Sequence, residues 1–199
     1  MTEEYWTERY KTGKTGWDIG YVSTPLKAYI DQLEDKSLKI LVPGAGNGYE
    51  AVYLWEQGFT NTHVVDISEE PLKRLQQQLP QQAHSQLYHA NFFDLSAEAL
   101  GGKFDLILEQ TFFCALNPSW RENYARQMKS LLKEGGKLAG VLFNIPLYDE
   151  HPPYGGHAEQ YRKLFAPHFE FKHFEECHNS IPPRSGNELF ICLEKTRAN

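Results

Sequence analysis

The segment with the clearest chemical meaning is a glycine-rich stretch that follows a short apolar run. It spans residues 40–50 and contains Gly44, Gly46 and Gly48. Glycine lets the backbone turn tightly and approach a bound ligand without a Cβ in the way. An acid, Asp66, ends the next apolar run, and a carboxylate there can accept two hydrogen bonds from a ribose diol. The pattern therefore predicts a site for a nucleotide-type cofactor.

Two classes of protein share this layout of strand, loop, helix, strand and acid. Nicotinamide-dependent oxidoreductases use Gly-x-Gly-x-x-Gly, in which the third glycine permits close helix packing beside a pyrophosphate. Here the third glycine comes one residue earlier, at Gly48, and position 49 is tyrosine. This close spacing is typical of Rossmann-like methyltransferases, whose cofactor S-adenosylmethionine has no pyrophosphate. The loop favours S-adenosylmethionine, and a nicotinamide oxidoreductase is the rival enzyme class.

Short apolar runs alternate with amphipathic segments along the chain, which predicts an α/β fold. The predicted strands cover 38–42, 63–66, 86–93, 104–110, 137–144, 169–177 and 188–194. The predicted helices cover 3–11, 25–33, 49–57, 69–79, 118–133 and 157–165. No helix separates the last two strands, so at least one of them should run antiparallel. We expect a single domain over 1–199, a Rossmann-like three-layer sandwich with a seven-stranded, mostly parallel sheet and an antiparallel C-terminal strand.

The composition narrows the classes of function. The chain has 199 residues, 41% of them apolar, and its net charge of −6 disfavours nucleic acid, whose phosphates attract basic faces. No apolar run is long enough to span a bilayer, and no secretory leader is visible. Three widely spaced cysteines fit a reducing cytoplasm, and the eight histidines, His151 among them, show no zinc-site spacing. We therefore expect a cytoplasmic protein with no metal, no membrane segment and no nucleic-acid partner.

Further motifs lie outside the glycine loop. The N-terminal one has aromatics at Trp6 and Tyr10, followed by Thr-Gly-Trp-Asp-Ile-Gly at 15–20. The most specific is Phe-Asp-Leu-Ile-Leu-Glu-Gln-Thr-Phe-Phe-Cys-Ala at 104–115. The tail adds Pro-Pro-Tyr at 152–154 and Ser-Ile-Pro-Pro-Arg-Ser-Gly-Asn-Glu at 180–188. With these motifs, nearly the whole chain resembles the thiopurine methyltransferase-like proteins, which include plant and microbial thiol and halide methyltransferases.

The resemblance implies S-adenosylmethionine as cofactor and assigns its contacts by motif. They fall on the N-terminal aromatics, the glycine loop, the acid after strand two and the ends of strands three and four. The residues are Trp6, Tyr10, Trp17, Gly44, Gly46, Asp66, Asn91, Phe92 and Gln110. Residues 1–22 would form a lid over the cofactor, in which the faces of Tyr10 and Trp17 attract its sulfonium cation. Many relatives carry tryptophan in place of Tyr10 and aspartate in place of Asn91.

The implied activity is methyl transfer, by in-line displacement, to a small soft nucleophile. Thiols, thiopurines, halides and related sulfur or selenium compounds belong to this class. The reaction needs neither a metal nor a covalent enzyme intermediate, so no catalytic side chain is assigned. Arg184 is the candidate for the anionic side of the acceptor, and Phe113 and Tyr154 are candidates for its apolar walls. The relatives suggest a monomer, and a cofactor-binding sensor or interaction module without turnover is the alternative.

Overall fold

A seven-stranded mixed sheet forms the centre of the protein. The structure is a computed structural model that describes residues 2–196. Its strands are β1 (Ile40–Pro43), β2 (Thr62–Asp66), β3 (Leu87–His89), β4 (Phe104–Gln110), β5 (Leu132–Phe143), β6 (Phe169–Glu176) and β7 (Glu188–Lys195). They lie in the order β3-β2-β1-β4-β5-β7-β6, in which β7 is antiparallel to both neighbours and the other pairs are parallel. The predicted mostly parallel sheet with an antiparallel C-terminal strand is confirmed.

Helices cover both faces of this sheet. They are α1 (Glu3–Lys11), α2 (Thr24–Ile30), α3 (Tyr49–Glu56), α4 (Glu69–Gln78), α5 (Arg121–Leu131) and α6 (Ala158–Phe165). Buried side chains of α2, α3 and α4 pack on one face, and those of α5 and α6 pack on the other. Because side chains alternate along a strand, β1 contributes Ile40 and Val42 to the first face and Leu41 to the second. This arrangement is the predicted Rossmann-like three-layer sandwich.

The N-terminal helix α1 lies outside these layers, against α4. The Thr7 hydroxyl is 2.8 Å from the hydroxyl of Ser68, the residue before α4. Arg74 of α4 donates a hydrogen bond to the backbone oxygen of Tyr10 at 3.0 Å. The Glu3 carboxylate is 2.9 Å from Nε2 of His89, the last residue of β3. These contacts place α1 beside the carboxyl ends of β2 and β3.

Several predicted boundaries differ from the structure: β5 begins five residues before the predicted 137, the helix predicted over 25–33 ends at Ile30, and two further differences have a clear local cause. Strand β3 ends at His89 rather than at residue 93, because the Asn91 side chain accepts a hydrogen bond from Phe93 N at 3.2 Å and begins a 3₁₀ turn. The helix predicted over 118–133 is a separate 3₁₀ turn at 118–120 followed by α5. Strand β5 then starts at once at Leu132, where it pairs with β4 across a bulge. Both differences come from short turns that interrupt an otherwise regular pattern.

Candidate functional site

A large cleft opens at the carboxyl ends of the central strands. Its volume is about 610 Å³, and its walls come from segments after β1, β2, β3 and β4, from the end of β5 and from the N-terminal residues. The strand order reverses between β1 and β4, and open α/β sheets bind ligands at such a switch point. A smaller cavity of about 40 Å³ beside the glycine loop shares Trp17, Gly44 and Thr111 with the cleft. The two cavities together form the candidate site.

The glycine loop lies between β1 and α3, as its sequence predicts. Gly44 lines both cavities, and its backbone N–H donates to Val65 O of β2 at 2.7 Å. Its φ of +57° lies in the left-handed region, and a Cβ there would overlap the ring of Phe112. Gly46 lines the smaller cavity next to the side chains of Tyr10 and Trp17. Glycine at position 44 therefore lets the loop and the Phe112 ring share one wall of the cleft.

Asp66 ends β2 and presents its carboxylate to the cleft. Its Oδ2 accepts a hydrogen bond from Gly46 N at 3.2 Å, and its Oδ1 accepts one from Ser68 N at 2.9 Å. The side chain is almost fully buried, and this burial raises the pKa of the carboxyl to about 6. Each oxygen has a second lone pair, so a ligand with two adjacent hydroxyls can bind here and favour the ionised form. Asp66 thus has the surroundings that a ribose-binding acid requires.

Three aromatic side chains from the N-terminal segment lie over the glycine loop. The ring of Trp17 makes edge-to-face contacts with Trp6 and Tyr10, at centroid distances of 5.5 and 5.8 Å. All three rings line the cleft. Burial raises the pKa of the Tyr10 hydroxyl, so this side chain stays neutral. The resemblance implies that these aromatics contact the cofactor, and the structure places all three on the wall of the cleft.

Asn91 and Phe92 follow β3 and line the same cleft. The Asn91 amide donates to Asp94 Oδ2 at 3.1 Å, which holds the turn together. The Phe92 ring is buried and meets Phe112 edge-to-face at 5.3 Å. Because Asp66 lies on the adjacent strand, a ribose held by Asp66 would place its base near these two residues.

Gln110, the last residue of β4, lines the smaller cavity. Its Oε1 atom is buried and has no hydrogen-bond partner among residues 2–196. Because this acceptor belongs to a residue that lines the cavity, a bound ligand that donates a hydrogen bond would supply its missing partner. The ammonium group of S-adenosylmethionine is a donor of this kind. The glycine loop, Asp66 and the Gln110 amide therefore fit this cofactor.

Glu109, one residue earlier, organises the turn that follows β4. It is fully buried, and its Oε1 accepts hydrogen bonds from Phe112 N at 2.8 Å and Phe113 N at 2.9 Å. Thr111 has a φ of +58°, a left-handed conformation that costs energy for a β-branched residue, and the two hydrogen bonds help to hold it. Sequence reasoning assigned Glu109 no role. The available signal was a carboxylate at the end of a continuous apolar strand.

Five side chains form an aromatic wall along the rest of the cleft: Phe93, Phe112, Trp120, Phe143 and Tyr148. The expected wall residues Phe113 and Tyr154 are not part of it, because both are buried and neither lines the cleft. Phe113 packs on Tyr124 at 4.9 Å beneath the turn, while its neighbour Phe112 faces the cleft. Tyr154 donates its backbone N–H to Cys114 O at 2.7 Å and anchors the loop. Of the two phenylalanines in this turn, Phe112 lines the cleft and the expected Phe113 does not.

Arg184 lines the cleft, as the acceptor assignment requires, but its charge already has a partner. Its Nη1 is 3.5 Å from Glu188 Oε1, and both side chains are nearly buried. Its Nη2 donates to Trp17 O at 2.9 Å. Burial raises the pKa of Glu188, and the guanidinium opposes that shift. Arg184 therefore connects the late turn at 182–184 to the N-terminal segment.

The part of the chain that the structure describes contains neither a cluster of metal-binding side chains nor a membrane-spanning helix. Within 2–196, no group of three or more histidine, cysteine, aspartate or glutamate side chains could hold a metal ion. Over the same range, no helix is long and apolar enough to cross a membrane. The three cysteines, Cys114, Cys177 and Cys192, are free and buried.

Solved structures share the fold over almost the whole chain. A Burkholderia thailandensis 1,6-didemethyltoxoflavin N1-methyltransferase, solved with S-adenosylhomocysteine, superposes with a TM-score of 0.72 at 18% identity, covering 98% of this chain and 87% of that one. The magnesium protoporphyrin IX methyltransferase of Synechocystis PCC 6803 was also solved with S-adenosylhomocysteine. It superposes with a TM-score of 0.71 at 14% identity, covering 98% of this chain and 98% of that one. At these identities the likeness establishes the Rossmann-like methyltransferase fold.

Curated relatives establish the family. A probable thiol methyltransferase 2 of Arabidopsis thaliana is 34% identical over 92% of this chain and 81% of its own length. Thiocyanate methyltransferase 1 of Brassica oleracea is 31% identical over 94% of this chain and 83% of its own length. Bovine thiopurine S-methyltransferase is 28% identical over 83% of this chain and 76% of its own length. These relatives support neither the nicotinamide nor the sensor alternative. The family model for thiopurine S-methyltransferase matches residues 1–196, so the chain belongs to that family of S-adenosylmethionine-dependent methyltransferases.

Proposed function

We propose that this protein methylates a small thiol or a chemically similar soft nucleophile, such as a thiopurine, thiocyanate or a halide. The observation that carries the proposal is a single cleft that joins a cofactor site to an aromatic wall. One part of the cleft offers the Asp66 carboxylate, and another part is lined mainly by aromatic side chains, with Arg184 beside Phe143 and His151 beside Tyr148. Relatives named for thiol, thiocyanate and thiopurine methylation support the same class of acceptor.

The residues of the first part would hold the cofactor. Asp66 binds the ribose hydroxyls, and Asn91 and Phe92 border the adenine. The Gln110 Oε1 atom accepts a hydrogen bond from the ammonium group. Trp6, Tyr10 and Trp17 close over the glycine loop, and each aromatic face near a cation contributes about 0.5–2 kcal/mol. When bound, S-adenosylmethionine supplies a methyl group made electrophilic by its sulfonium charge.

The aromatic wall would receive the acceptor. A sulfur nucleophile reacts faster when its water shell is removed, and aromatic rings remove water without offering competing hydrogen bonds. Phe112 belongs to both parts of the site, since its ring packs against Gly44 and faces the cleft. Its position is fixed through its backbone by Glu109. The chain therefore contributes mainly alignment and exclusion of water.

Arg184 would favour acceptors with negative charge. Its guanidinium lines the cleft and retains donors beyond those used with Glu188 and Trp17. The paired Glu188 carboxylate reduces this attraction, so the preference should be moderate.

We further propose that the protein acts as a single-domain monomer in the cytoplasm, on a small molecule and without nucleic acid. One continuous sheet supports the single domain, with residues 1–22 as its lid. The net charge of −6 argues against a polyanionic partner. Light scattering of the purified protein would test the monomer, and a mass of two or more chains would refute it.

The experiment that tests the function is a transfer assay with methyl-labelled S-adenosylmethionine. The acceptor panel contains an alkyl thiol, a thiopurine, thiocyanate, iodide and a primary amine of matched size. We expect label on sulfur acceptors and little on the amine. Label on the amine alone would refute the proposed acceptor class.

A further inference from the structure

His151 lies on the loop between β5 and α6, at the rim of the cleft. Its ring lines the cleft and packs against Tyr148 of the aromatic wall, with 4.3 Å between ring centroids. The side chain is exposed at the rim, so water can exchange protons with it. No pattern in the sequence predicts a catalytic role for this histidine.

The hydrogen bonding of His151 defines the protonation of its two nitrogens. Nδ1 lies 2.9 Å from the backbone oxygen of Pro152. A carbonyl oxygen can only accept a hydrogen bond, so Nδ1 must be the nitrogen that carries the proton in the neutral ring. Nε2 then has a free lone pair. A neutral imidazole in this tautomer is a proton acceptor whose ring orientation is fixed by the backbone.

The other ionisable side chains that line the cleft within the described residues are poorly suited to accept a proton from an acceptor. Arg9 and Arg184 are permanently charged. Burial raises the pKa of the Cys114 thiol to about 12, so it stays protonated. Tyr10 and Tyr148 are phenols, and Asp66 uses its oxygens for the loop and the ribose. Histidine is the side chain suited to proton transfer near neutral pH.

We propose that His151 is the general base that deprotonates a thiol acceptor. A base is needed only when the acceptor carries a proton, so this role depends on the proposed function. The acceptor S–H bond breaks as the Nε2 lone pair takes the proton. The electron pair left on sulfur forms the bond to the methyl carbon, whose bond to the sulfonium sulfur breaks with its own pair. The positive charge lost from the sulfonium leaves as the proton, which His151 passes to water.

Charged and titratable groups surround this position on several segments. Asp149 and Glu150 precede His151 in the chain, the Tyr148 ring packs against it at an angle of 36°, and Arg184 and Cys114 share the cleft. The charge of Arg184 is balanced by Glu188.

The test compares acceptors that carry a proton with acceptors that do not. The purified protein and its His151→Gln variant are assayed at saturating S-adenosylmethionine with 2-mercaptoethanol and with iodide. His173→Gln, an exposed histidine on β6, is the matched control. At pH 7 we expect kcat/KM for the thiol to fall about 100-fold in His151→Gln, as is typical for loss of a general base, and kcat/KM for iodide to change less than about twofold. As the pH rises past the pKa of the free thiol, the loss of kcat/KM should shrink because the thiol ionises unaided.

Three results for His151→Gln would each overturn the role of His151: an equal loss of kcat/KM with both acceptors, a loss of kcat/KM for the thiol that persists at high pH, or no loss of kcat/KM for the thiol. If the unmodified protein labels iodide but no thiol, the role of His151 as a base is overturned, because its acceptor carries no proton, while the proposed function still holds. If it labels neither acceptor, the proposed function itself is wrong. A measurement without turnover checks the tautomer. ¹⁵N NMR of the ligand-free protein at a pH where the ring is neutral should show the His151 proton on Nδ1, and a proton on Nε2 would contradict the proposal.

Discussion

The Tyr124 hydroxyl donates a hydrogen bond of 2.6 Å to Glu109 Oε2, while Glu109 Oε1 accepts from two backbone N–H groups of the turn that carries Phe112. Helix α5 and the turn after β4 are thereby joined through one buried carboxyl. Burial raises the pKa of Glu109 to about 7, and the three hydrogen bonds oppose this shift. We therefore expect the stability of this turn, which carries Phe112, to depend on pH near neutrality.

The first prediction concerns stability and Glu109→Gln. The pKa of Glu109 is about 7 in the folded protein and 4.5 ordinarily, so the protonated carboxyl is the form that the fold favours. Its contribution to the free energy of unfolding is complete below pH 4.5 and is lost as the pH rises through 7. Glutamine keeps an acceptor for the turn and does not ionise. The free energy of unfolding of the unmodified protein, relative to the variant, should therefore fall by about 2–3 kcal/mol between pH 5 and pH 8. Urea unfolding of both proteins at pH 5 and pH 8 measures this difference in the free energy of unfolding. The same difference at both pH values would contradict the raised pKa of Glu109.

The second prediction concerns Gly44→Ala. The new Cβ would overlap the Phe112 ring at a position whose φ is +57°. Gly58→Ala is the matched control, because Gly58 has a φ of +88° and open space at its Cβ position. Both variants should lose about 1–2 kcal/mol from backbone strain. Only Gly44→Ala should also weaken S-adenosylmethionine binding, by tenfold or more in calorimetry; equal affinities for the two variants would show that the Phe112 contact is unimportant.

The third prediction concerns Asp66 and pH. Ribose hydroxyls favour the ionised carboxyl, so cofactor binding lowers a pKa that is about 6 in the free protein. Affinity should be full above pH 6 and should decline below it. Asp66→Ala should weaken binding by on the order of 1–3 kcal/mol and remove this pH dependence. Glu159→Ala, an exposed acid on α6, is the control. Titration calorimetry with S-adenosylmethionine from pH 5 to pH 8 measures both effects. An unchanged affinity for the cofactor in Asp66→Ala would reject the ribose contact.

The fourth prediction concerns the pair Arg184 and Glu188. Arg184→Ala should lower kcat/KM for thiocyanate more than for a neutral thiopurine. Glu188→Gln removes the opposing charge, so it should raise the preference for thiocyanate instead. The ratio of the two kcat/KM values is the readout, because lid loosening through Trp17 affects both acceptors alike. Two variants that shift this ratio in the same direction would exclude an electrostatic role for Arg184.

Local patterns predicted the fold and most of the residues that line the cleft near Asp66. The glycine loop, the acid at position 66 and the alternation of strands with helices depend on neighbouring residues, which a sequence displays directly. The antiparallel position of β7 followed from the missing helix before it. Membership of the family was recognisable because the motifs at 15–20 and 104–115 are long and specific.

Contacts between distant segments could not be predicted in this way. Whether Phe112 or Phe113 faces the cleft depends on a single 3₁₀ turn at 113–115, whose direction Glu109 and Tyr124 determine from below. The pairing of Arg184 with Glu188 and Trp17, and the orientation of the His151 ring, also require three-dimensional placement. The aromatic wall that we propose for the acceptor therefore emerged only from the structure.

The central claim is methyl transfer from S-adenosylmethionine to a small thiol, and the most direct measurement is mass spectrometry of the products. Purified protein is incubated with trideuteromethyl-labelled cofactor and 2-mercaptoethanol. We predict a trideuteromethyl thioether formed in amounts equal to S-adenosylhomocysteine, with Asp66→Ala slower at limiting cofactor. Tight cofactor binding with no labelled methylated product from any thiol, thiopurine, thiocyanate or halide would contradict the account.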